Sequence, residues 1–398
     1  MNNPAAEPTS AFIVFSDDWG EHPSSCQHLF RHIAADHVVL WVNTIGMRSP
    51  RLAWSDVRKA WRKISKMLGG GRAARRADTD SPRPLRLSVS QPFMLPFSSI
   101  GAIRWFNRRS VLRTVRRAAA TLGVKKPVVV STVPNACDYV GELGAARVVY
   151  YCVDDFTQWP GLEHDLVQAM ERQLIVRSDV LIATSQALYR KLAVEARPLH
   201  LLTHGVDIAH FSREAHAEHA CLASIRKPRA GYFGLFDERS DAVLIAAVAQ
   251  ASPDISFVFT GPVATETSAL QRCPNVHFTG SVAYAELPAL VKGLDVLFIP
   301  YLVNDFTASI SPLKLKEYLV TGRPVIATPM PEAVALREHL AIAATAEEWS
   351  AALRGALQTD VPARKAAMQR AMRGESWSEK ARTFFGLCVG ADRTGMAA

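Results

Sequence analysis

Continuously apolar runs alternate with stretches of helical periodicity along most of this chain. Ala11-Phe-Ile-Val-Phe15 and His37-Val-Val-Leu-Trp-Val42 are apolar at nearly every position, the pattern of strands buried on both faces. Between them residues 27–34 carry apolar side chains at helical spacing, with Ser24 or Ser25 placed to cap the helix. Further runs at residues 126–132, 147–153, 179–185 and 199–203, with a helix over 162–178, predict five or six strands in a doubly wound α/β domain over residues 1–207. Residues 208–228 are polar and rich in Ala, His and Glu, and read as a linker.

A second round of the same alternation follows. Strands are expected at 230–233, 255–260, 277–279, 296–300 and 324–328, with helices at 240–251, 286–292, 349–357 and 363–385. This gives a second Rossmann-like domain over 229–375, its working loops facing those of the first across a cleft. The segment 376–398 is expected to be a helix crossing back to the first domain. In Ser309-Ile-Ser-Pro-Leu-Lys-Leu-Lys-Glu-Tyr-Leu-Val-Thr-Gly322 the residue types predict one short helix at 312–321. Ser311 is its cap, Pro312 its first residue, and Gly322 its left-handed terminator. Leu315, Tyr318 and Leu319 form the buried stripe, while Lys314 and Glu317 share a neighbouring strip. That spacing fits an anion site at the helix start with a carboxylate one turn on, and equally an ordinary helix with solvated charges.

Composition narrows the class. The 398 residues are 48% hydrophobic and 21% charged, as in an ordered globular chain of about two domains. Six cysteines are scattered with no CxxC pair, which argues against a disulfide framework and fits a reducing cytoplasm. No apolar run approaches the roughly 18 residues of a membrane span, and the N-terminus lacks a basic leader.

The net charge of +9 is unevenly spread. Residues 48–126 hold 20 Lys and Arg against three acids, Asp56, Asp78 and Asp80. Within them Leu52, Trp54, Val57, Trp61, Ile64 and Leu68 recur at roughly helical spacing among basic residues, and Arg104-Trp-Phe-Asn-Arg-Arg109 repeats the chemistry. A basic, tryptophan-bearing helix suits an anionic bilayer surface, and the protein is expected on the cytoplasmic face of the membrane. The competing readings are a helix packed on its own domain with its basic side chains snorkelling, and nucleic-acid binding. The last is disfavoured because no reader motif accompanies the charge.

Recognised catalytic signatures are missing. The sequence has no P-loop, no GxGxxG after the first strand, no HExxH, no GxSxG and no clustered His/Cys set. Polar residues at the expected strand ends remain. In the first domain these are Asp17, Asp18, Asp154, Asp155, Ser185 and His204; in the second they are Gly234, Ser281, Tyr301, Lys314 and Glu317.

The order of Gly205-Val-Asp207, Tyr232-Phe-Gly-Leu-Phe-Asp-Glu-Arg239, Phe278-Thr-Gly-Ser281, Ile299-Pro-Tyr301, Ser311-Pro-Leu-Lys-Leu-Lys-Glu317 and Gly322-Arg-Pro-Val resembles the GT-B glycosyltransferases, closest to bacterial exopolysaccharide and teichuronic-acid types. The resemblance implies a nucleotide-sugar donor, a saccharide or polyprenyl-diphosphate-linked acceptor, and no cofactor or bound metal. It gives Glu317 the donor ribose hydroxyls. Lys314, with Ser311, Pro312 and Leu313 at the helix start, takes the diphosphate. Gly280, Ser281, Val282 and Tyr301 take the base. Gly234 lets backbone approach the phosphates, and Arg239 is a second phosphate ligand.

The sequence also departs from the family. Ser309 stands where many relatives carry an acid eight residues before the ribose glutamate, and Asp237-Glu238 replace the usual basic pair. Divergent members use an aspartate after the strand that matches 147–153 as general base, which implies Asp155 here, with Asp154 as helper or as the base itself. Both acids can equally cap the next helix. Asp17 and Asp18 are expected as acceptor contacts or loop-formers, and His204 as a sugar-phosphate contact or a histidine satisfied by backbone. A non-catalytic scaffold that binds nucleotide-sugar without turnover is the alternative class.

Overall fold

The computed structural model of the protein describes residues 10–20, 24–44, 84–96, 99–159 and 161–390. Two compact units result: residues 1–203 with 377–398, and residues 204–376. The tryptophan-bearing stretch around Trp54 and Trp61 lies outside the described residues.

The first unit holds a seven-stranded, wholly parallel sheet. Its strands are β1 (Ala11–Ser16), β2 (Val38–Asn43), β3 (Leu87–Ser90), β4 (Val128–Ser131), β5 (Arg147–Cys152), β6 (Val180–Ala183) and β7 (Leu199–Leu201), in the order β3-β2-β1-β4-β5-β6-β7. Register runs Ile13 beside Leu40 on one flank and Val129 on the other. The order reverses between β1 and β4, the switch point at which ligands of such sheets bind. Strands β1, β4, β5 and β6 are buried almost throughout, which is why they read as unbroken apolar runs. The edge strand β3 is only half-buried, so its sequence carries no such signal.

The chain's last helix, Trp377–Val389, belongs to this unit. His28 stacks on Trp377 with rings 4.6 Å apart, Phe384 meets Phe30 and Tyr151, and Phe385 lies against Phe12 and His37. The single helix expected at 363–385 is two. Val361–Ala371 ends in a short 3-10 turn at Arg373–Glu375, where Gly374 and Ser376 are poor helix formers.

The second unit repeats the design with six parallel strands: β8 (Arg229–Phe233), β9 (Ser256–Thr260), β10 (Val276–Gly280), β11 (Val296–Ile299), β12 (Val325–Ala327) and β13 (Ala341–Ile342). Their order is β10-β9-β8-β11-β12-β13, with the switch between β8 and β11. Residues 208–228, read as a linker, fold onto this unit instead. Asp207 caps the helix Ile208–Ser212, Phe211 and Leu222 enter the core, and the Arg229 guanidinium is buried among the carbonyls of Leu222, Ile225 and Gly293. Small polar residues had masked two apolar anchors.

Candidate functional site

The carboxyl ends of β8 and β11 and the helix Leu313–Val320 converge on one point. Tyr318 is fully buried, and its hydroxyl accepts the Phe233 amide at 2.8 Å and donates to the Phe233 carbonyl at 2.9 Å. This fastens the end of β8 to the helix. The next residue, Gly234, has φ +119°, and a Cβ there would fall 2.2 Å from Cε and 2.8 Å from Nζ of Lys314. Only glycine fits, and Lys314 fills the vacated space. The ammonium donates to the Tyr301 hydroxyl at 3.4 Å and lies 5.4 Å from the Tyr232 ring centroid.

The helix start differs from the sequence reading. Pro312 is the cap residue, with no side-chain cap bond, and Ser311 donates instead to Glu332 at 3.2 Å. A hydroxyl turned to Glu332 leaves the amides of Leu313 and Lys314 without a side-chain acceptor, so they remain directed at whatever lies beyond the helix end. Gly322, at φ +79°, ends the helix as expected, its amide donating to Leu319. One turn from Lys314, Glu317 is half-buried and makes no hydrogen bond among the described residues. Desolvation pushes its carboxyl up to about 7, against the pull of Lys314 and with help from the charge of Asp207.

Two expected donor contacts, Arg239 and Tyr301, are placed otherwise. Arg239 is held by Asp237 through Nε at 2.8 Å and a second guanidinium nitrogen at 2.6 Å, so its fork is already occupied. It faces the Tyr301 ring, with Cζ 5.6 Å from the centroid. Tyr301 is 1% exposed, too enclosed to stack on a base, and serves the lysine instead. Ser309 is buried with its hydroxyl on the Phe306 carbonyl. Gly280 and Ser281 are exposed and Val282 half-buried at the carboxyl end of β10.

In the first unit, Asp17 is a loop-former. It accepts from Ser16 at 2.7 Å, Ser24 at 3.0 Å and Gln27 at 2.7 Å, while Gln27 also reaches the carbonyl of Asp18. Asp155 is buried at the end of β5. Its Oδ1 accepts from Lys191 at 2.8 Å and from the Thr157 amide and hydroxyl, capping the 3-10 turn Phe156–Gln158. Lys191 also binds Glu171 at 2.7 Å, and Glu171 accepts from the Tyr150 hydroxyl at 2.8 Å. Burial alone would raise the Asp155 carboxyl, but the bonds from Lys191 and Thr157 outweigh it and hold it below the usual range. That is the environment of an anchor more than of a proton acceptor. Asp154 beside it is half-buried. His204, assigned to the first domain from sequence, falls in the second unit, 7% exposed.

Sequence reasoning missed Lys191, Glu171 and the two hydrogen bonds of the Tyr318 hydroxyl. Nothing in the spacing of Lys191 marks it, whereas Tyr318 was legible as a core residue and only its hydroxyl was overlooked. Among the described residues no group of three or more His, Cys, Asp or Glu side chains could hold a metal ion, and no helix is long and apolar enough to cross a membrane.

Residues 227–359 match the family described as glycosyl transferases group 1. A teichuronic acid biosynthesis glycosyltransferase of Bacillus subtilis strain 168, TuaH, is 29% identical over 175 residues, which is 42% of this chain and 44% of that protein, less than half its length. Among solved structures, sucrose-phosphate synthase from Thermosynechococcus elongatus superposes with a TM-score of 0.66 at 13% identity, covering 96% of this chain and 99% of that one. The Anabaena HepE protein in complex with UDP and glucose gives 0.65 at 12% identity, over 94% and 98%. An α,α-trehalose-phosphate synthase (UDP-forming) from Burkholderia vietnamiensis gives 0.62 at 12% identity, over 96% and 99%. At such identities the structures establish the shared fold.

Proposed function

We propose that the chain, whose fold is that of GT-B glycosyltransferases and whose residues 227–359 match the group 1 family, moves a sugar from a nucleotide-sugar to a lipid-linked saccharide in cell-surface or exopolysaccharide synthesis. The observation that carries this is the fit of Lys314 into the space beside Gly234, one turn from an unbonded Glu317. In this reading the ammonium and the free amides at the helix start neutralise the leaving diphosphate, and Glu317 accepts both ribose hydroxyls. The turn from Gly280 to Val282 lies along the base. Neutralisation by lysine and helix start makes the transfer metal-independent.

On the acceptor side, Asp155 holds the end of β5 through Lys191, and the half-buried Asp154 is the remaining candidate to take the acceptor proton. Asp17 shapes the loop after β1 that the saccharide meets, with Asp18 beside it.

A peripheral position on the cytoplasmic membrane face is supported by the helix Gly101–Thr121. Arg104 and Arg108 serve their own unit, paired with Asp138 and Glu142. Trp105 and Phe106, however, are 56% and 40% exposed, and the Arg109 guanidinium lies 4.9 Å from the Trp105 ring centroid. Arg113 and Arg117 extend the same exposed face. Aromatic side chains beside arginines that pair with no acid among the described residues suit an anionic headgroup layer.

The test is a panel of nucleotide-sugars assayed with membrane extract as acceptor source. One donor is expected to be consumed, with consumption lost in Lys314→Met. Binding without turnover across the panel would favour the scaffold alternative, and absence of binding would end the donor reading.

A further inference from the structure

The donor-side helix carries another buried cation that the nucleotide grip leaves unused. Lys316 lies between Lys314 and Glu317, and its side chain is only 13% exposed. Its ammonium donates to the His204 carbonyl at 2.6 Å and pairs with the Glu375 carboxylate. These partners are not arbitrary. The chain passes between its two units twice, at Thr203–His204 and at Ser376–Trp377. Lys316 therefore grips the first residue after one crossing and the residue next to last before the other. The two segments are also joined directly, since the Val206 amide donates to the Glu375 carbonyl at 2.8 Å and Val206 pairs with Ser376 as a parallel bridge.

An ammonium removed from water on a helix flank is costly unless it is well bonded. Here the bonds are spent on the crossings, so the short helix and both crossings form one closed set of contacts. A ligand that orders the helix through Lys314 and Glu317 thus acts on both connections through the residue between them.

We propose that Lys316 is a positioning residue that couples nucleotide occupancy of the helix Leu313–Val320 to the two chain crossings at His204 and Ser376. The coupling rests on the donor site proposed above, while the tie itself does not.

Amide hydrogen exchange on the full chain tests both, with Lys316→Met, Lys316→Arg and Glu375→Gln, and UDP as the probe. Without ligand, Lys316→Met is expected to exchange about tenfold faster in residues 204–207 and 373–376, with Lys316→Arg restoring most of the protection. UDP should bind Lys316→Met within about threefold of wild type, yet slow exchange at the crossings only in wild type. In the transfer assay kcat per active site, with sites counted by UDP titration so that unfolded protein is excluded, is expected to fall with donor KM little changed. Unaltered exchange in the unliganded Lys316→Met protein overturns the tie. Equal protection of the crossings by UDP in both proteins overturns the coupling. Failure of UDP to bind wild type overturns the donor reading and the coupling with it, while the unliganded exchange still decides the tie.

Discussion

Replacing Glu317 by glutamine removes a charge that the unliganded fold holds at a cost. The carboxyl moves from an ordinary 4.5 to about 7 because burial desolvates it and Asp207 repels it, with Lys314 only partly offsetting both. The sign follows from linkage. Below the unfolded value both states are protonated and the residue is neutral in each. Between the unfolded and folded values the unfolded chain releases its proton while the folded protein keeps it. Stability from this group therefore falls as pH rises, and the full cost is present above the folded value.

Each tenfold change in acidity is worth about 1.4 kcal/mol, so the penalty is at most about 3 kcal/mol. Solvent reaching the half-buried carboxylate reduces this to about 1–2 kcal/mol. Glutamine keeps the shape and never ionises. Glu317→Gln is expected to match wild type near pH ~4 and to melt about 2–8 °C higher near pH ~8 in thermal unfolding followed by circular dichroism. With UDP present the order should reverse, because only the carboxylate offers two strong acceptors to a diol. A gap between variant and wild type that is the same at both pH values would refute the reasoning, as would a less stable variant at the higher one.

Other outcomes follow from the same geometry. Gly234→Ala sets a Cβ on the Lys314 side chain at a positive φ, and is expected to weaken UDP binding at least about tenfold by calorimetry while costing about 1–3 kcal/mol in stability. Lys191→Met leaves Asp155 and Glu171 buried without their cation, and should cost about 3–5 kcal/mol in urea unfolding. Asp155→Asn should cost less, since Lys191 keeps Glu171; an equal loss would mean that the two carboxylates do not share the lysine. In flotation with anionic vesicles, Trp105→Ser combined with Arg109→Ser is expected to reduce recovery, and added salt should do the same to wild type; recovery indifferent to both would remove the membrane surface.

The sequence made the sheet strands legible because parallel strands covered on both faces must be apolar at almost every position. Where that coverage lapses, as at Leu87–Ser90 and Ala341–Ile342, the signal vanished with it. Glycine at 234 and 322 announced its own backbone geometry. The charged residues were harder. Lys314 and Glu317 could be placed from helical spacing, but whether Arg239 faces a ligand or Asp237 depends on a loop whose path no periodicity records. The same holds for Asp155, whose partner lies 36 residues on, and for Lys316, which spacing alone would leave in solvent.

The Tyr318 hydroxyl closes onto Phe233 across 85 residues of chain. The contact closes a loop that contains strands β9, β10 and β11, so its entropic cost is offset only when those strands pack as well. The proposed nucleotide grip rests on this long-range contact. A ligand that recognises it sees only the finished sheet, so saturating nucleotide should raise the resistance of every strand in that unit to unfolding, β8 and the distant β13 alike.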